Sequence, residues 1–75
     1  MKTLFLAYSG DAYLSNSSLY LIGVFTSKQN AINGINEFDG YNLETNDKIS
    51  LNNINQTQGL EVNYIIEERI LNQID

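Results

Sequence analysis

Apolar residues fill both sides of the first strand-like stretch. In "TLFLAYS", residues 3–9, Phe5 and Ala7 fall on one side of an extended chain and Leu4, Leu6 and Tyr8 on the other. That pattern predicts a strand in the middle of a sheet. The polar run "GDAYLSNSS" follows and reads as a turn region. "LYLIGVFT", residues 19–26, is rich in aromatic and β-branched residues and predicts a second strand, antiparallel to the first. Gly23 inside it marks a bulge or the close approach of another backbone.

At Ser27 the spacing of apolar positions changes from two to 3.6. Ala31, Ile32, Ile35 and Phe38 share one helical face, and Lys28, Gln29, Asn33 and Asn36 fall elsewhere. Ser27 is a good N-cap, because its hydroxyl can accept a bond from an N–H two or three residues on. Asn30 stands where a capping box would place Glu or Gln, so that box is incomplete. Gly34 within the helix costs about 1 kcal/mol relative to Ala, which suggests close packing on the sheet. Gly40 is predicted to stop the helix in the left-handed conformation.

Residues 41–59 carry two patterns at once. Thr45 to Lys48 resembles a helix start with acid in its first turn, and Leu51 and Ile54 lie three apart, with Ile49 partly on the same face. Ile49-Ser50-Leu51 also alternates as a strand would. A short helix over residues 46–55, closed by Gly59, is the preferred reading. "LEVNYIIEERIL", residues 60–71, predicts the last strand. Val62, Tyr64 and Ile66 point one way; Glu61, Asn63, Glu67 and Arg69 point the other, with Ile65 as an apolar exception on the wet side. The tail "NQID" is expected to fray.

The predicted order is β-β-α-(α)-β over a single domain, residues 1–75. This is a two-layer α+β fold, with a three-stranded antiparallel sheet and one or two helices on one face. The last strand is expected to pair with the first, making the first central.

Composition narrows the function classes. A chain of 75 residues buries only about 60–65% of its unfolded surface, so its core is marginal. With 43% hydrophobic residues it is nonetheless not a disordered chain. Without Cys or His, disulfides and the usual zinc ligand sets are excluded. The formal net charge is −5, and the basic residues Lys2, Lys28, Lys48 and Arg69 are scattered. No basic patch is available to displace counterions, which argues against a nucleic-acid partner. The nine acidic residues are also spread along the chain, where a polyanion mimic would need denser rows. The start "MKTLFLA" has too short an apolar run for a secretory signal of about 7–15 apolar residues, or for the ~18 of a membrane span. The expected setting is therefore cytoplasmic, with no membrane partner. The sequons at Asn16 and Asn55 then carry no meaning, and the Asn and Ile richness is taken as coding bias.

Candidate chemistry is sparse. Without His or Cys, the commonest general base and the strongest nucleophile are missing. Glu67 and Glu68 are neighbours on a strand and point to opposite faces, so they cannot work as an acid–base pair. In "DGYNLETND", Tyr41 and Leu43 occupy alternate positions that an EF-hand loop would give to oxygen ligands. There is no phosphate-binding Gly motif. The helix start at Thr26-Ser27-Lys28 could hold an anion, but capping accounts for it more simply. "NQTQG", residues 55–59, offers amides that could read a partner, or could cap a helix C-terminus. No cofactor is expected.

"LYLIGVFTSKQNAINGI" resembles the opening of small bacterial domains of unknown function, in which a hairpin strand ending "GVF(T/S)S" enters a helix. "NINQTQGLEVNYIIEERIL" is similar to their closing part. The resemblance implies the same element order and a bacterial or phage origin; it implies no activity.

The sequence thus favours a non-enzymatic protein–protein interaction or regulatory module, acting through a sheet edge or face on a protein partner or on itself as a homodimer. The alternative is a small acidic inhibitor of a host or phage enzyme. The candidate contact residues are Tyr13 and Tyr41 in loops, Gln56 and Gln58 in the "NQTQG" segment, and Asn63, Ile65, Glu67 and Arg69 on the wet side of the last strand.

Overall fold

A computed structural model describes residues 2–70. The elements follow the predicted order: β1 (Thr3–Gly10), β2 (Tyr20–Phe25), α1 (Lys28–Phe38), α2 (Thr45–Ile54) and β3 (Asn63–Ile70), with one turn of 3-10 helix at Asn16–Ser18 between the first two strands. The three strands form one antiparallel sheet in the order β2-β1-β3, with β1 central. Its two apolar sides mark it as the middle strand. Residues 41–59 contain the helix rather than the strand. The expected fraying tail and the final residue of the predicted last strand lie outside the described residues.

The β1–β2 ladder slips between Ala7 and Tyr8. Ala7 pairs with Gly23 but Tyr8 pairs with Leu21, which leaves Ile22 as the extra residue of a bulge. Gly23 therefore does mark a bulge. What crowds it is the ring of Phe25 rather than another backbone.

Helix α1 starts where Ser27 caps it, the Ser27 hydroxyl accepting the Asn30 N–H at 3.1 Å. It ends in a Schellman arrangement. Gly40, with φ +74°, donates its N–H to the Glu37 carbonyl, and Tyr41, with φ +65°, donates to that of Asn36. Helix α2 begins after Glu44, whose N–H donates to the Asp47 side chain at 3.1 Å, a local carboxylate bond that offsets an orphan donor.

The core is one cluster: Ala7, Ala31, Ile32, Ile35, Leu43, Leu51, Tyr64 and Ile66, with Phe5, Ile22 and Phe25 packed against it. Both helices thus cover the same side of the sheet. Three apolar side chains expected inside are about half exposed instead. Phe38 sits at the rim of α1 and stacks on Tyr20, with centroids 6.0 Å apart, while Ile49 and Ile54 leave Leu51 as the buried residue of α2. A ten-residue helix beside a three-stranded sheet offers room for only a narrow contact stripe. Leu60, Glu61 and Val62 form a bend before β3, so the strand is shorter at its start than its alternation suggests.

Candidate interaction surface

Paired strand residues share a face, and the registers therefore sort the sheet into two sides. Phe5, Ala7 and Ser9 of β1 line up with Tyr64, Ile66 and Glu68 of β3 and with Tyr20, Gly23 and Phe25 of β2, under the helices. The opposite side carries Leu4, Leu6 and Tyr8 flanked by Val24 and Leu21 on β2 and by Arg69, Glu67 and Ile65 on β3. Among the described residues no helix packs on this second side. Leu4, Leu6, Tyr8 and Ile65 are half-buried by their neighbours, while Leu21 is 46% and Val24 52% exposed.

One end of that open face is closed by the β1–β2 connection. Gly10 and Asn63 pair there. A Cβ on Gly10 would lie 3.0 Å from a methyl of Leu19 and 3.1 Å from one of Leu14, so the loop packs closely on this glycine. Asn63 is 2% exposed. Its amide donates to the carbonyls of Ala12 at 2.9 Å and Leu60 at 3.1 Å, and its carbonyl oxygen accepts from the Thr57 hydroxyl and the Leu60 N–H. The loop itself is held by Asp11, whose carboxylate accepts from the N–H groups of Tyr13 and Ser15 and from the Ser15 hydroxyl. The Ser15 bonds, hydroxyl first, hold its carboxyl below the usual range.

Both sheet edges are compromised for strand addition. On the outer edge of β3, Asn55 to Thr57 already pair: the Thr57 N–H donates to the Tyr64 carbonyl at 2.9 Å, the Ile66 N–H to the Asn55 carbonyl at 2.7 Å, and the Tyr64 N–H to the Thr57 hydroxyl at 2.9 Å. The "NQTQG" segment is thus partly a helix C-terminal turn, with Asn55 at φ +62°, and partly a short strand. On the other side, the bulge at Ile22 breaks the regular spacing of β2, a common way to blunt an edge.

The residues singled out from sequence separate into three groups. Ile65, Glu67 and Arg69 come together on the open face, with Arg69 bridging Glu67 at 2.7 Å. Tyr13, Tyr41 and Gln58 are exposed in loops away from that face's centre; Gln56 is half-buried opposite Ile65 across the short ladder. Asn63 is a correction: it lies on the predicted side of β3 but under the loop, where it is buried and serves the fold. Leu21, Val24 and the Leu4–Leu6–Tyr8 row share the open face with Ile65, Glu67 and Arg69 and are not among the residues singled out from sequence. The sequence signal for Leu4, Leu6 and Tyr8 is the apolar second side of residues 3–9, which a central place in the sheet also explains.

The strand-to-helix corner is structural. Lys28 does not turn toward a ligand at the helix start; its ammonium donates to the Asn52 carbonyl of α2 at 3.2 Å and lies 3.8 Å from Glu68. Two concavities open elsewhere. One of about 320 Å³ is lined by Asp39, Asn42, Leu43, Glu44, Asp47, Leu60 and Val62. The other, about 340 Å³, lies between the two helices and is lined by Ile32, Ile49, Lys48 and neighbouring amides. Among the described residues no group of three or more carboxylates is placed to hold a metal ion, and no helix is long and apolar enough to cross a membrane. Comparison with protein families, with curated proteins and with solved structures gave no match.

Proposed function

We propose that the chain is a non-enzymatic interaction module whose working surface is the open face of its sheet, built on Leu4, Leu6, Tyr8, Leu21, Val24 and Ile65. The observation that carries this is the one-sided layering: both helices share one side, while an apolar side of the same strands is left in water. An exposed apolar patch of a few hundred Å² commonly marks a binding site. The face is preferred to an edge because Asn55–Thr57 already pairs with Tyr64–Ile66 along the β3 edge and the β2 edge is bulged. The cytoplasm is its proposed setting; a fold without cysteine has no disulfide for a reducing compartment to break.

The distribution of acids weighs against the inhibitor alternative. Asp39, Glu44 and Asp47 share one concavity, but Asp11 lies in the β1–β2 loop and Glu67 and Glu68 lie on opposite sides of the sheet. A polyanion mimic needs its carboxylates in one row.

Hydroxyl-radical footprinting of the chain, in extract of its native cells and in dilute pure solution, tests the proposal. Protection in extract confined to Leu6, Tyr8, Leu21, Val24 and Ile65 is expected. A face as reactive in extract as in buffer would overturn it.

A further inference from the structure

Building on that reading of the face, we infer that its occupant is a second copy of this chain, stacked sheet against sheet about a two-fold axis. Charge comes first. The chain carries a net charge of −5, so two copies repel wherever their acidic surfaces approach. Among the described residues, the charged side chains on the strand positions of the open face are Glu67 and Arg69, which neutralise each other at 2.7 Å. This is a surface through which two copies can meet without bringing unpaired carboxylates together.

Shape agrees with charge. A row of Leu4, Leu6 and Tyr8 between Leu21 and Val24 on one flank and Ile65 on the other is a pleated apolar sheet surface. Such surfaces pack face to face about 10 Å apart, with strand directions within about 30° of each other. An isologous contact uses the same patch twice, so one apolar, internally neutral face is sufficient. The product is a two-sheet core with the helices outside, which doubles the apolar interior of a domain too small to bury much alone.

Size sets the strength. With strands about 4.8 Å apart, β1 and β3 eight residues long and β2 six, the face spans at most about 14 by 24 Å. That projected area is well below the ~800 Å² per partner of a standard stable interface. The dimer is therefore reversible and concentration-dependent.

Sedimentation equilibrium of the full chain from micromolar to millimolar concentration reads this out. The expected mass climbs from that of the 8.5 kDa protomer toward twice that value. Val24→Glu places two carboxylates in the interface and should weaken the dimer about tenfold or more, with unchanged far-UV circular dichroism. Leu21→Lys is the second variant should Val24→Glu disturb the fold. Ile49→Glu, equally exposed but on α2, should leave the dissociation constant as it was. A mass that stays monomeric at millimolar concentration overturns the inference, as does a dimer broken by Ile49→Glu and not by Val24→Glu. A monomer whose face is still protected in cell extract overturns self-association alone and leaves the module reading standing; a monomer with no such protection overturns both.

Discussion

Phe25 sits directly over Gly34: a Cβ built on this glycine of α1 would lie 2.3 Å from the Cζ of the ring. The helix is drawn onto β2 at the one position where it has no side chain. Gly34→Ala would gain about 1 kcal/mol of helix propensity. Overpacking the ring costs about 1–3 kcal/mol, so a net loss of about 1 kcal/mol is expected. Urea unfolding should show a lower midpoint for Gly34→Ala, and the loss should shrink when Phe25→Leu is added. A higher midpoint for the single variant would mean that the ring yields freely.

Asn63 ties the start of β3 to the preceding turn, through Thr57 and Leu60, and to the β1–β2 loop 51 residues away, through Ala12. Asn63→Ala removes all of those bonds and leaves buried partners unpaired, a loss of about 2–3 kcal/mol. Thr57→Val breaks the same network, so the double variant should be less destabilised than the two single losses added together. Additive losses in a thermal-melt cycle would show the two side chains to be independent.

Stability should fall at alkaline pH because of Tyr64. Its hydroxyl donates to the Asp39 carboxylate, and burial, followed by that bond and charge, pushes its titration far above the ordinary tyrosine range. The folded state then holds a proton that the unfolded chain releases near pH ~10. The contribution is fully present below that value and is lost as pH rises above it. Tyr64→Phe should flatten the decline in denaturation curves taken between neutral and strongly alkaline pH. At the acid end Asp11 works in the opposite sense: its lowered titration gives the loop a contribution that is present above the ordinary carboxylate range and is lost as pH falls through the depressed value.

Ser27→Ala removes the α1 cap and should cost about 1 kcal/mol. Self-association should not change, because the corner lies at the helix side and not on the open face. Sedimentation of the variant below its unfolding midpoint checks this. A weakened dimer at unchanged stability would put the corner in the interface.

Local chemistry made much of the fold legible. Ser27, Gly40 and the 3.6 spacing of Ala31, Ile32 and Ile35 describe α1 nearly to the residue, because caps and amphipathic faces act within one or two turns. The boundaries that moved are those where distant segments intervene. Leu60–Val62 continues the alternation of β3 in sequence, yet it bends away where Asn63 bonds back to Leu60. Phe38, Ile49 and Ile54 fit helical faces, but the sheet is too narrow to bury them.

The candidate surface was half legible. Ile65, Glu67 and Arg69 were found by alternation alone, and Asn63 was misplaced with them, since no local pattern announces that a loop fifty residues earlier in the chain will cover it. By itself the sequence determined element order, the central position of β1, the capped corner and the net charge of −5; each depends on residues close together in the chain or on a simple sum. Tertiary structure decided which side of the sheet the helices took, and hence which apolar row was left in water. That choice is collective. Lys28 against Asn52 and Asn63 against Ala12 are pairings that no single stretch of sequence contains.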